Sequence, residues 1–121
     1  MKSLIDIARQ FSSGEFDGIE KHLAPEVEFH IFEDDTHLIG KDQVLEFCGK
    51  IASYFASIET DFRVSGEVSD GQRVVIYGLG YFKRNGLLLN VVNSCDVYEF
   101  KPDGQVLRIN SYCNSHKRAD N

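Results

Sequence analysis

The chain has 121 residues, 42% of them hydrophobic and 26% charged, with a net charge of −6 and a pI of about 5.1. That length supports one domain with a proper core, placed at residues 1–121. The acidic balance argues against nucleic-acid and anionic-membrane partners, and no stretch approaches the ~18 consecutive apolar residues of a membrane span. The N-terminal MKSLIDIARQFSSGE carries acids and polar residues where a signal peptide needs an apolar run, so a cytoplasmic location is expected. Cys48, Cys95 and Cys113 match no zinc-site spacing and read as free, reduced thiols.

Taken in order, Ser3 caps a first helix with the stripe Leu4, Ile5, Ala8 and Phe11, interrupted at Ser12-Ser13-Gly14. A second short helix is expected from about Glu15 to Leu23, ended by Pro25. Val27 to Phe32 alternates Val27, Phe29 and Ile31 against Glu28, His30 and Phe32, as a strand does. Glu33-Asp34-Asp35-Thr36-His37 reads as a polar loop. It lacks the glycine and spacing of a calcium site, so we expect a solvated loop and no metal. Gly40-Lys41-Asp42-Gln43 opens the longest helix, to about Phe55, with the stripe Val44, Leu45, Cys48, Ile51, Ala52 and Phe55.

The rest reads as β. Strands are expected over Ile58–Val68, Arg73–Lys83, Leu87–Phe100 and Gln105–Asn114. Asp70-Gly71 and Asn85-Gly86 are strong hairpin signals, and Lys101-Pro102-Asp103-Gly104 is the last turn. The tail His116–Asn121 is expected to fray. Helices around one strand, then a four-strand meander, give an α+β layout in which the sheet covers the helices' apolar stripes.

The last hairpin holds the oddity. Ser94, Asp96, Tyr98 and Phe100 share one face of its first arm, so a carboxylate lies among aromatics. Leu107, Ile109, Ser111 and Cys113 alternate with Arg108, Asn110, Tyr112 and Asn114 on the second arm. We expect Asp96, Tyr98, Phe100, Ile109, Ser111 and Cys113 to face an interior pocket, with Tyr77, Leu79 and Tyr81 of the preceding strand. The opposite face carries Asn93, Cys95, Val97, Arg108, Asn110, Tyr112 and Asn114, with Gly78 and Gly80 leaving it flat.

This order of elements, with Gly14–Glu26 before the first strand, Gly40-Lys-Asp-Gln-Val at the long helix and Asp96-Val-Tyr-Glu-Phe…Asp103-Gly-Gln-Val…Tyr112, resembles the NTF2-like superfamily. Within it the chain looks like the SnoaL-like and ketosteroid-isomerase-like branch, over roughly residues 3–115. The resemblance implies a cystatin-like cone: three N-terminal helices packed on a strongly bent mixed or antiparallel sheet. It also implies a pocket for a small apolar organic ligand and a homodimer formed through the outer sheet face. It carries no activity of its own, because the superfamily holds isomerases, cyclases, epoxide hydrolases, dehydratases and non-enzymatic partners.

Asp96 matches the carboxylic acid that donates to the enolate oxygen in steroid isomerases. The general base of those enzymes falls at Phe29, or at His30 if the strand bulges. Their oxyanion tyrosine falls at about Ile7 and a supporting tyrosine at Cys48. The aspartate of epoxide hydrolases on the last strand falls at Ser111.

The candidate catalytic residues are therefore Asp96, whose pKa burial should raise, and His30, the remaining imidazole base. Phe29, Cys48, Tyr54, Tyr77, Tyr81, Tyr98, Ile109, Ser111 and Cys113 are the candidate ligand contacts. No cofactor is expected. Three readings stay open: a cofactor-free isomerase, cyclase or dehydratase; a binding module that does not transform its ligand; and a dimerisation domain with a filled cone.

Overall fold

The computed structural model describes residues 2–117. Helix α1 (Leu4–Ser12) begins where the Ser3 hydroxyl accepts from the Asp6 amide at 3.2 Å. It buries Ile7, Ala8 and Phe11, one stripe at helical spacing. The second expected helix is only a four-residue 3₁₀ turn, Ile19–His22. Gly18 enters it at φ 71°, which turns the chain sharply and leaves no room for a longer helix. The chain then enters β1 (Leu23–Ile31), so Pro25 lies inside a strand rather than after a helix. Pairing of β1 shifts between Leu23 and Glu28, and at such a bulge the missing proline N–H is tolerated.

The expected polar loop contains a tight turn and a short strand, β2 (Thr36–Ile39), antiparallel to β1. Asp35 takes φ 54° and the Asp34 carboxylate accepts from the Thr36 amide at 3.1 Å, which closes the turn. Helix α2 (Lys41–Ala56) follows and buries Val44 and Cys48. Then come β3 (Glu59–Asp70), β4 (Arg73–Arg84), β5 (Leu87–Phe100) and β6 (Val106–Lys117). Asn85 and Gly86 both have positive φ, as a two-residue hairpin turn requires. The C-terminal tail expected to fray is strand as far as Lys117; residues 118–121 lie outside the described residues.

The six strands form one curved, mixed sheet in the order β2-β1-β6-β5-β4-β3, with β1 and β6 parallel and the other neighbours antiparallel. Its curvature has a local cause. β3 bulges between Val64 and Gly66, and Gly78 of β4 lies opposite. A Cβ at Gly78 would stand 2.2 Å from the Arg63 carbonyl oxygen, so only glycine lets the two backbones close at that bend. Leu23, Val27, Val44, Val74, Ile76, Tyr98, Val106 and Ile109 form the fully buried centre between helices and sheet.

The facing of β4 is the main correction. Val74, Ile76, Gly78 and Gly80 are buried on the concave side. Tyr77 and Tyr81 therefore point outward, Tyr77 42% exposed and Tyr81 lying under the Arg63 guanidinium. Gly78 and Gly80 thin the concave wall and not the convex one.

Candidate functional site

The tip of α1 and the loop after it, the last turns of α2 and the concave faces of β1, β3, β4, β5 and β6 line a cavity of about 190 Å³ that is partly open at its outer end. Phe11 and Phe29 form part of its buried inner end, and Phe16, Ile51, Phe55, Phe62 and Phe82 form its partly exposed outer walls. Its polar groups are gathered on one side: Ser12, Ser94, Asp96, Ser111 and Cys113. Strand alternation puts them there, since Asp96 pairs with Ser111 and Ser94 with Cys113 across the β5–β6 ladder.

Asp96 is 8% exposed and accepts two short hydrogen bonds. Ser111 Oγ donates to Oδ1 at 2.7 Å, and Ser12 Oγ donates to Oδ2 at 2.7 Å. The Tyr98 hydroxyl lies 2.5 Å from Ser12 Oγ, and Cys113 Sγ lies 3.0 Å from Ser111 Oγ. Burial fixes the direction of one arm. Tyr98 is fully enclosed and Ser12 is the partner of its hydroxyl, so the phenol donates to Ser12 and Ser12 spends its own proton on Asp96. Ser111 can turn its hydrogen to Asp96 or to Cys113.

Burial raises the Asp96 pKa above the usual carboxylate value, and the bonds from Ser111 and Ser12 only partly oppose it. Burial, then the Asp96 charge, pushes the Tyr98 phenol up. Burial likewise raises Cys113, and it pushes the Cys48 thiol up to about 12. Neither thiol is activated as a nucleophile. Among the described residues no group of three or more His, Cys, Asp or Glu could hold a metal ion.

Of the residues singled out from sequence, Asp96, Phe29, Ser111 and Cys113 stand on the cavity wall. Tyr98 and Ile109 face the same side but lie in the packed core, Tyr98 reaching the site only through Ser12. Cys48 is buried in that core as well. Tyr54 is 49% exposed on the outward side of α2, and Tyr77 and Tyr81 are on the convex side of the sheet; none of the three lines the cavity.

His30 must also be withdrawn from the site. It sits on the convex side of β1, stacked between Phe32 at 3.8 Å and His37 at 4.7 Å, with Nε2 3.1 Å from Asp35. The strand does not bulge at that point: Phe29, His30 and Ile31 stay in register with Ile109, Asn110 and Ser111. The important residue that sequence reasoning missed is Ser12, which reads as the frayed end of a helix. The Ser94 hydroxyl and the Phe16, Phe55, Phe62 and Phe82 walls were not singled out either.

A family model described as SnoaL-like domain matches residues 5–109. The chain belongs to the SnoaL-like family. Solved structures agree on the fold of this SnoaL-like chain. An NTF2-like protein of unknown function from Cytophaga hutchinsonii is 28% identical, with a TM-score of 0.77 over 89% of this chain and 93% of that one. A putative SnoaL-like polyketide cyclase from Shewanella denitrificans is 14% identical, with a TM-score of 0.71 over 89% and 85%. TerC, co-crystallised with polyporic acid, is 17% identical, with a TM-score of 0.65 over 89% and 85%. A search of curated proteins found no match. No helix among the described residues is long and apolar enough to cross a membrane.

Proposed function

We propose that this SnoaL-like domain binds a small, mostly apolar organic molecule in its cavity, with Asp96 as the acid that acts on it. The carrying observation is a buried carboxyl, unaccompanied by any cation among the described residues of the cavity wall, at the polar side of an otherwise apolar, mostly aromatic chamber. In its neutral form Asp96 still accepts from Ser12 and Ser111 and has one proton to give. Donated to a carbonyl oxygen, that proton stabilises a developing enol or enolate in a low-dielectric site. The chemistry this favours is cofactor-independent isomerisation, cyclisation or dehydration. The structural neighbours named as a putative polyketide cyclase and as a complex with polyporic acid make a ring-bearing ligand reasonable.

A second reading is non-catalytic binding. It is favoured by one observation: among the described residues no imidazole and no second carboxylate lines the cavity beside Asp96 to share the proton transfers of a reaction.

Carbon NMR titration of the Asp96 carboxyl, assigned with Asp96→Asn, tests the acid role. A value well above the ordinary ~3.9 supports it, and one at or below that removes it. Loss of turnover with binding retained in Asp96→Asn selects the enzyme over the binding module.

For the convex face we propose a second copy of the chain as partner. Phe32 and Tyr112 stack there at 4.8 Å while both stay more than 40% exposed, and Tyr77 is exposed two strands away on the same face.

A further inference from the structure

We propose that the ligand is an uncharged single-ring molecule with one leading oxygen, a phenol or a cyclic enone, held at that oxygen by Ser94 and Asp96 and limited in size by Phe55. This rests on the ligand-binding reading above and names its substrate class.

Size comes first. A cavity of about 150 Å³ takes one benzene, or roughly 25 Å³ per non-hydrogen atom. At native packing density the same space holds a little more. The 190 Å³ found here therefore takes about eight to ten such atoms: one ring and a few substituents.

The outer end is partly open to solvent, and Phe55 narrows it. The Phe55 ring is pinned between Gly14 and Phe82. A Cβ at Gly14 would stand 2.6 Å from it, and the Phe82 ring centre is 5.6 Å away. A second and third fused ring would have to displace Phe55 on the way to that opening.

Charge comes second. Among the described residues the wall carries no lysine, arginine or histidine, and its one carboxyl is buried. A ligand carboxylate or phosphate would meet a desolvated acid and no counter-charge.

The hydrogen-bond inventory comes third. Ser12 is committed to Asp96 by the enclosed Tyr98, and Ser111 is shared between Asp96 and Cys113. Ser94 makes no side-chain hydrogen bond among the described residues and opens on the cavity. It stands two positions from Asp96 on the same face of β5, about 6.5–7 Å along the strand. One ligand oxygen between the two side chains reaches both, accepting from the Ser94 hydroxyl. A carbonyl also accepts from neutral Asp96, and a phenol donates to the ionised form.

The test is an NMR titration of the full chain with phenol, cyclohexenone, benzoate and a three-ring aromatic ketone, repeated on Ser94→Ala, Phe55→Ala and Phe55→Leu. The leucine variant guards against loss of the fold in the alanine one. The expected result is saturable binding of phenol and cyclohexenone with shifts at Ser94 and Asp96, and benzoate at least about tenfold weaker. Ser94→Ala should weaken phenol and cyclohexenone about threefold to tenfold, the value of one hydrogen bond. Either Phe55 variant should admit the three-ring ketone. Tighter binding of that ketone by the unaltered chain overturns the size limit while leaving the ligand-binding reading in place. Benzoate binding as well as phenol overturns the charge selection in the same way. If no compound of any size binds any form, this assignment and the ligand-binding reading fall together.

Discussion

Asp96→Asn tests the electrostatic account of the cavity through stability alone, with no ligand needed. The folded carboxyl is 8% exposed, accepts from two hydroxyls and has no cation among the described residues of the wall around it. Hydrogen bonds to a charged group contribute roughly 1.5–3 kcal/mol each. Removing a carboxylate from water costs several kcal/mol even after relaxation. Desolvation is the larger effect, so the folded pKa stands above the ordinary 3.8.

The sign of the pH dependence follows from that direction. The folded chain holds the proton more tightly than the unfolded chain does. Asp96 therefore adds stability below the unfolded pKa. That contribution is lost as pH rises from the unfolded toward the folded pKa, and above it the carboxylate is a constant burden. Each unit of separation is worth about 1.4 kcal/mol. Asparagine keeps the shape without the charge: its oxygen accepts from Ser12, and its amide donates to Ser111, which turns its hydrogen to Cys113.

Urea unfolding of both proteins at matched ionic strength, from about pH 4 to pH 8, isolates the difference. Wild-type stability minus variant stability should fall as pH rises and then level off. At about pH 8 the variant should be the more stable by roughly 1–3 kcal/mol. A difference that stays flat across the range, or grows in favour of wild type, would refute the reasoning, because the folded pKa would then be ordinary or depressed.

Tyr98→Phe removes the donor that commits Ser12; it should cost about 1 kcal/mol in urea unfolding and move the Asp96 carboxyl titration further upward. Gly78→Ala puts a methyl against the Arg63 carbonyl and should destabilise by roughly 2–3 kcal/mol. Gly66→Ala meets only the end of the Tyr77 ring, which can swing away on the exposed face. It should cost under about 1 kcal/mol, so equal melting temperatures for the two variants would contradict the account of the sheet's bend. If the convex face joins two copies, sedimentation will give twice the 13.7 kDa mass and Tyr112→Lys will halve it; a monomeric wild type would remove that proposal.

What was legible in the chain depended on how each residue's position is specified. The facing of Asp96 could be read because the β5–β6 hairpin is pinned by Asp103-Gly104 and alternates without a break past Asp96 and Ser111, its one register shift lying at Glu99–Phe100. The facing of β4 could not be read by the same rule. Polarity alone sends Tyr77 and Tyr81 inward and Gly78 and Gly80 outward, since large aromatic residues are normally the buried ones. A hollow cone inverts that preference. Space for a ligand is made by residues that leave it empty, and Gly80 provides such space on the cavity wall. Ser12 was hidden for another reason. A serine near a helix end is explained well enough by local capping, and its bond to Asp96 spans 84 positions that no local pattern connects. His30 shows the reverse: its alternation with Phe29 already pointed it outward, and only its resemblance to a catalytic base drew it toward the site. In a ligand-holding cone, then, strand alternation is a better guide to the acid than to the walls, because it reports which side a residue faces and not whether that side is filled.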